Sequence, residues 1–65
     1  MNTKTDVEVT LTGEDGNIFN LLGITTNALK QAGYRDYAKE LQSRIMNESS
    51  YESAIRLISE YVKIV

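Results

Sequence analysis

The chain has 65 residues, a formal net charge of −2 at pH 7, and no cysteine, histidine or proline. A chain this short makes one domain at most and buries only about 60% of its unfolded surface. Without Cys or His it has neither disulfides nor ordinary zinc ligands to brace that core, so tight helix packing or self-association must do so.

No run approaches the roughly 18 apolar residues of a membrane span. The opening "MNTKTD" lacks the apolar core of a signal peptide. The chain therefore reads as soluble and cytoplasmic. Seven Lys and Arg are scattered along it and form no basic stripe of the kind nucleic acid requires.

Residues 1–5 are polar and are expected to be disordered; residues 6–65 form the single domain. From Asp6 to Thr12 the pattern alternates, with Val7, Val9 and Leu11 facing one way and Glu8, Thr10 and Thr12 the other. Alternation with β-branched residues predicts a half-buried strand. One strand needs a hydrogen-bonding neighbour. The choices are the closing stretch Tyr61–Val65 or the same strand of a second copy.

"GEDGN" follows. Gly13 and Gly16 permit positive φ, and Asp15 and Asn17 form turns and caps. Ile18, Leu21, Leu22, Thr25, Ala28, Leu29 and Ala32 then recur at helical spacing, predicting a first helix over 18–32. Asn17 is its N-cap and Gly33 its stop. Gly23 lies inside this helix at a cost of about 1 kcal/mol, which points to a close backbone approach. A second helix spans "YRDYAKELQSRIMN", its stripe formed by Tyr34, Tyr37, Ala38, Leu41 and Ile45, with Glu40 and Arg44 as an i,i+4 pair and Asn47 closing it. The third is expected over about 50–62, opened by a capping box of Ser49 and Glu52. Its stripe is Tyr51, Ala54, Ile55, Ile58, Tyr61, Val62 and Val65, widened by Leu57 and Ile64. The pattern favours helix through Tyr61 and Val62, with a short strand as the alternative for the tail.

Glu14, Asp15 and Asn17 gather oxygens that a hard cation would accept. Phe19 and Leu21 stand where calcium ligands should follow, so a strand-to-helix corner is the simpler reading. A phosphate at that helix start faces two acids and no lysine, and no Walker sequence is present. Nucleophilic catalysis lacks a histidine base or a thiol, and a paired-carboxylate site needs a pocket this chain hardly encloses. Neither an enzyme, nor a cofactor, nor a metal is expected. Tyrosine combines a large contact area with a polar tip and favours interfaces. Tyr34, Tyr37 and Tyr51 are accordingly candidate partner contacts, as is a ligand seam near Gly13, Glu14, Asp15 and Asn17. Lys30, Arg35, Lys39 and Arg44 approach a helix-turn-helix pattern, but Asp36 and Glu40 interleave with them, which disfavours phosphate contacts.

The segment "TLTGEDGNIFNLLGITTNALKQAG" resembles short proteins found in phages, prophages and other mobile elements. The matching residues are Leu11, Gly13–Asn17, Phe19, Leu22, Gly23, Ala28, Leu29, Ala32 and Gly33. The similarity continues through "YESAIRLISEYVKI". This chain departs from the commoner pattern at Ile24–Asn27, where a threonine-rich run replaces a more basic helix middle. The resemblance carries no catalytic residues. It implies a small accessory protein that binds a host protein or a small signalling molecule in the host cytoplasm.

Together these readings give an α+β domain: an N-terminal strand, three helices, and a short C-terminal strand as an option, assembled as a homodimer through strand or helix pairing. The expected function is a non-enzymatic interaction module that inhibits a host defence protein. The alternative is a homo-oligomer that sequesters a nucleotide-type ligand. A nucleic-acid binder is a distant third.

Overall fold

The structure, a computed structural model, describes residues 3–10 and 18–65. Within them lie β1 (Glu8–Val9), α1 (Ile18–Gln31), α2 (Arg35–Ile45), α3 (Tyr51–Tyr61) and β2 (Lys63–Ile64). The α+β expectation holds in this order, with the C-terminal strand present.

β1 finds its neighbour within the chain. It pairs parallel with β2, Glu8 opposite Lys63 and Val9 opposite Ile64. The Lys63 and Val65 amides donate to the Val7 and Val9 carbonyls at 2.8 and 3.0 Å. Parallel strands need a long crossover, and the helices supply it. The pairing need that motivated a strand-linked dimer is thus met by the chain's own end. The sequence pattern favours helix through Val62, but Val62 is already extended (φ −134°, ψ 159°). It is also fully buried, and the turn out of the helix keeps it in the core while releasing Lys63 and Ile64 to pair. The predicted alternation holds where it is described: Val9 is buried and Val7 half-buried, while Asp6, Glu8 and Thr10 face outward. Leu11 and Thr12, the rest of the expected strand, lie outside the described residues.

Residues 3–5, expected to be disordered, are tied to the end of α3. The amides of Lys4 and Thr5 donate to the carbonyls of Glu60 and Tyr61 at 2.9 and 3.2 Å. The buried Thr5 hydroxyl donates to the Tyr61 carbonyl at 2.7 Å and accepts from the Val7 amide at 3.1 Å. The Thr3 hydroxyl donates to the Thr5 carbonyl. Helix ends leave carbonyls without intrahelical partners, and this polar segment satisfies two of them.

The core sits where the three helices meet under β1, built on Leu21, Leu29, Leu41, Ile58, Tyr61 and Val62. In α1 the buried face includes Thr25 and Thr26. Their hydroxyls donate to the carbonyls of Leu21 and Leu22 at 2.8 and 2.9 Å, so burial leaves no polar atom unpaired. This accounts for the threonine-rich run as core. Ala32, predicted to be on the stripe, lies past the helix end and is exposed.

Gly33 stops α1 as predicted. It adopts φ 93°, and the amides of Gly33 and Tyr34 close back on the carbonyls of Lys30 and Leu29 at 3.0 and 2.8 Å, a complete Schellman turn. Gly23 differs from expectation: a Cβ there would meet nothing within 4 Å, so no close approach requires glycine. α3 is capped one residue later than predicted. The Ser50 hydroxyl, not that of Ser49, accepts the Ser53 amide at 3.1 Å, and the Ser53 hydroxyl donates to the Ser50 carbonyl at 3.0 Å. This register places Ala54, Leu57, Ile58 and Tyr61 in the core, at the i, i+3, i+4, i+7 spacing of a buried stripe.

Candidate functional site

The three tyrosines singled out from the sequence fall in two places. Tyr34 and Tyr37 flank the start of α2, their rings stacked 5.9 Å apart. Tyr51 opens α3, beyond the far end of α2. The eleven residues of α2 span about 16 Å at 1.5 Å per residue, so Tyr51 stands apart from the Tyr34–Tyr37 pair.

Tyr37 belongs to an internal cluster. Its ring meets that of Tyr61 edge-on at 5.9 Å, and the Lys4 ammonium lies 5.8 and 5.5 Å from the two ring centres. Tyr61 is fully buried, and its hydroxyl donates to Glu40 Oε2 at 2.5 Å and accepts from Arg44 Nη1 at 2.9 Å. Burial, and then the hydrogen bond to Glu40, push this phenol above its ordinary pKa; Arg44 pulls the other way. The phenol bond, followed by neighbouring charges, raises Arg44. The predicted Glu40–Arg44 pair is therefore bridged through Tyr61, and the ion pair Arg44 makes is to Glu60 on α3 at 3.5 Å. This cluster locks α2, α3 and the N-terminal segment together. Tyr34, 37% exposed, is its outer edge.

Tyr51 stands in different company. An open groove of about 400 Å³ lies between the start of α1, the end of α2 and the start of α3. Its floor is the outer layer of the core: Leu22, Ile45 and Ala54, with half-buried Ile18. Phe19, Met46 and Tyr51 line it while remaining 67%, 68% and 46% exposed. Among the described residues Glu48 is the only charged one that lines it. Monomeric domains seldom gather large exposed apolar side chains around a depression unless something covers them.

Of the three exposed apolar residues around the groove, the sequence singles out Tyr51 and passes over the other two. Phe19 follows Ile18 and falls off the α1 stripe; Met46 follows Ile45 at the α2 C-cap. A helical-period search discards such positions. The usable signal was their location: each is a large apolar residue within two positions of a helix end. Gly13, Glu14, Asp15 and Asn17, the proposed ligand seam, lie outside the described residues.

Among the described residues no group of three or more acidic, histidine or cysteine side chains could hold a metal ion. None of the described helices is long and apolar enough to cross a membrane. No family model matches the chain, and neither a curated protein nor a solved structure shows significant similarity to it.

Proposed function

We propose that this chain is a non-enzymatic protein-interaction module, and that the groove between the three helix ends receives an apolar side chain from a partner protein. One observation carries the reading: Phe19, Met46 and Tyr51 ring an open depression whose floor is already apolar. An aromatic or branched anchor entering it would extend the core outward, and buried anchors of this kind supply most of the energy of an interface. Glu48 at the margin and Glu52 in the first turn of α3 favour basic residues flanking that anchor. With the resemblance to mobile-element proteins, the partner proposed is a host defence protein met in the cytoplasm, which the module inhibits by occupying its surface.

The test is position-specific. A photoreactive phenylalanine analogue at Met46 should form one adduct in host cells, mapping to an apolar segment with basic neighbours. The same group at exposed Gln42 should form none, and Tyr51→Ala should abolish the Met46 adduct. An adduct between two copies of this chain, or equal labelling from both positions, overturns the reading.

A further inference from the structure

The opposite end of the α1–α2 hairpin carries a second hollow, of about 380 Å³, lined by Lys30 and Gln31 from the end of α1 and by Arg35 and Lys39 from the start of α2. Among the described residues no carboxylate lines it. Asp36, which interleaves with these cations in sequence, points to a neighbouring depression with Gly33, Tyr34 and Tyr37.

Of the other four cations three have neighbours of their own, while Arg56 makes no ion pair among the described residues. Arg44 pairs with Glu60, Lys4 sits against two tyrosine rings, and Lys63 stands opposite Glu8 in the strand ladder. Among the described residues Lys30, Arg35 and Lys39 make no ion pair. Lys30 has an ordinary structural role, since a cation near a helix C-terminus offsets the helix dipole. Arg35 has none, and Lys39, though spaced i,i+3 from Asp36, makes no ion pair with it. Arg35 and Lys39 are like charges at i,i+4, which destabilises a helix, and Arg35 occupies the first turn, where the dipole disfavours a cation. The fold thus places three unneutralised cations around one hollow against its local electrostatic preference.

We propose that Lys30, Arg35 and Lys39 bind a polyphosphate group on a soluble small molecule. Three cations facing one depression suit a single multiply charged group. A peptide of successive carboxylates spreads its charge along a line and matches a stripe instead. The arginine fork adds the bidentate geometry that phosphate oxygens accept. This site is independent of the groove between the helix ends.

Titration of the intact chain with inorganic tripolyphosphate at low salt, followed by amide NMR, tests the proposal. Shifts should concentrate in residues 29–39. Arg35→Gln and Lys39→Gln should each weaken binding about tenfold, the effect of losing about 1.4 kcal/mol, while Arg56→Gln, a cation outside the hollow, leaves it unchanged. All three replaced side chains are exposed, and unchanged thermal unfolding verifies that each variant is folded. Adenosine triphosphate binding as tightly as tripolyphosphate identifies the phosphates as the recognised group. Tighter binding of the nucleotide identifies a nucleoside polyphosphate. Both support the site. Shifts scattered over every cation, an Arg56→Gln effect equal to that of Arg35→Gln, or tighter binding of a glutamate-rich peptide or of single-stranded RNA would overturn it.

Discussion

The two ends of the α1–α2 hairpin are built from the same helices and differ in kind. At one end Phe19, Met46 and Tyr51 surround an apolar groove; at the other Lys30, Arg35 and Lys39 surround a basic hollow. At the groove the residues at issue sit at helix termini, where the core stripe no longer dictates which side chain is needed; at the hollow Lys30 and Arg35 do so, while Lys39 stands on the exposed face of α2. The buried stripe of each helix is committed to packing, and the ends and outer faces are left to carry chemistry. In a domain this small the two surfaces can vary separately only if the shared core holds both in place.

The sharpest way to break that comparison is to damage the core. Leu41 is fully buried on α2 between the two ends, and Leu41→Ala should destabilise the fold by about 3 kcal/mol, read as a lowered urea midpoint. Both surfaces should then be lost together. Replacing Met46 with Asp should separate them: partner affinity at the groove falls by about 2 kcal/mol in a binding titration, while tripolyphosphate affinity stays constant. Gly33→Ala attacks the basic end alone. A side chain at φ 93° is strained by about 1–2 kcal/mol, so thermal unfolding should drop, and NMR shifts should report displacement of Lys30 relative to Arg35.

Tyr61→Phe removes the phenol that joins Glu40 to Arg44 and should cost about 1 kcal/mol. Its pH signature is distinctive. The folded phenol holds its proton more tightly than the unfolded one. It therefore contributes stability that is fully present below about pH 10, the unfolded value, and is lost as pH rises through the folded value. Denaturation curves between pH 9 and 11 should slope downward in the parent and less so in the phenylalanine variant. The smallest effect is a gain: Gly23→Ala, at an exposed position with open space around it, should stabilise α1 by about 0.8 kcal/mol.

Helix positions, the Gly33 stop and the core faces were legible because each rests on local periodicity or on one residue's backbone freedom. The third cap was read one residue early, because Ser49 and Ser50 offer the same hydroxyl and only packing of Leu57 and Tyr61 decides between them. The role of Thr3–Thr5 was hidden because its partners are carbonyls at the end of α3, which composition does not reveal. The same holds for the groove. Phe19 and Met46 are unremarkable in sequence and acquire meaning only when three helix ends converge. Tyr37 shows the converse: a residue read as a contact is held largely by Tyr34, Tyr61 and Lys4.

The hydrogen bond from Thr5 to Tyr61 joins residues 56 positions apart, and among the described residues β1 pairs with β2 alone. On a translating ribosome, which adds about 5–20 residues per second, the early segment waits several seconds for its companion. During that interval its backbone amides and carbonyls are open to any extended chain nearby. The helices can begin to assemble while the nascent chain is still growing, but the clasp that closes the molecule forms only after the final turn of α3 has left the exit tunnel.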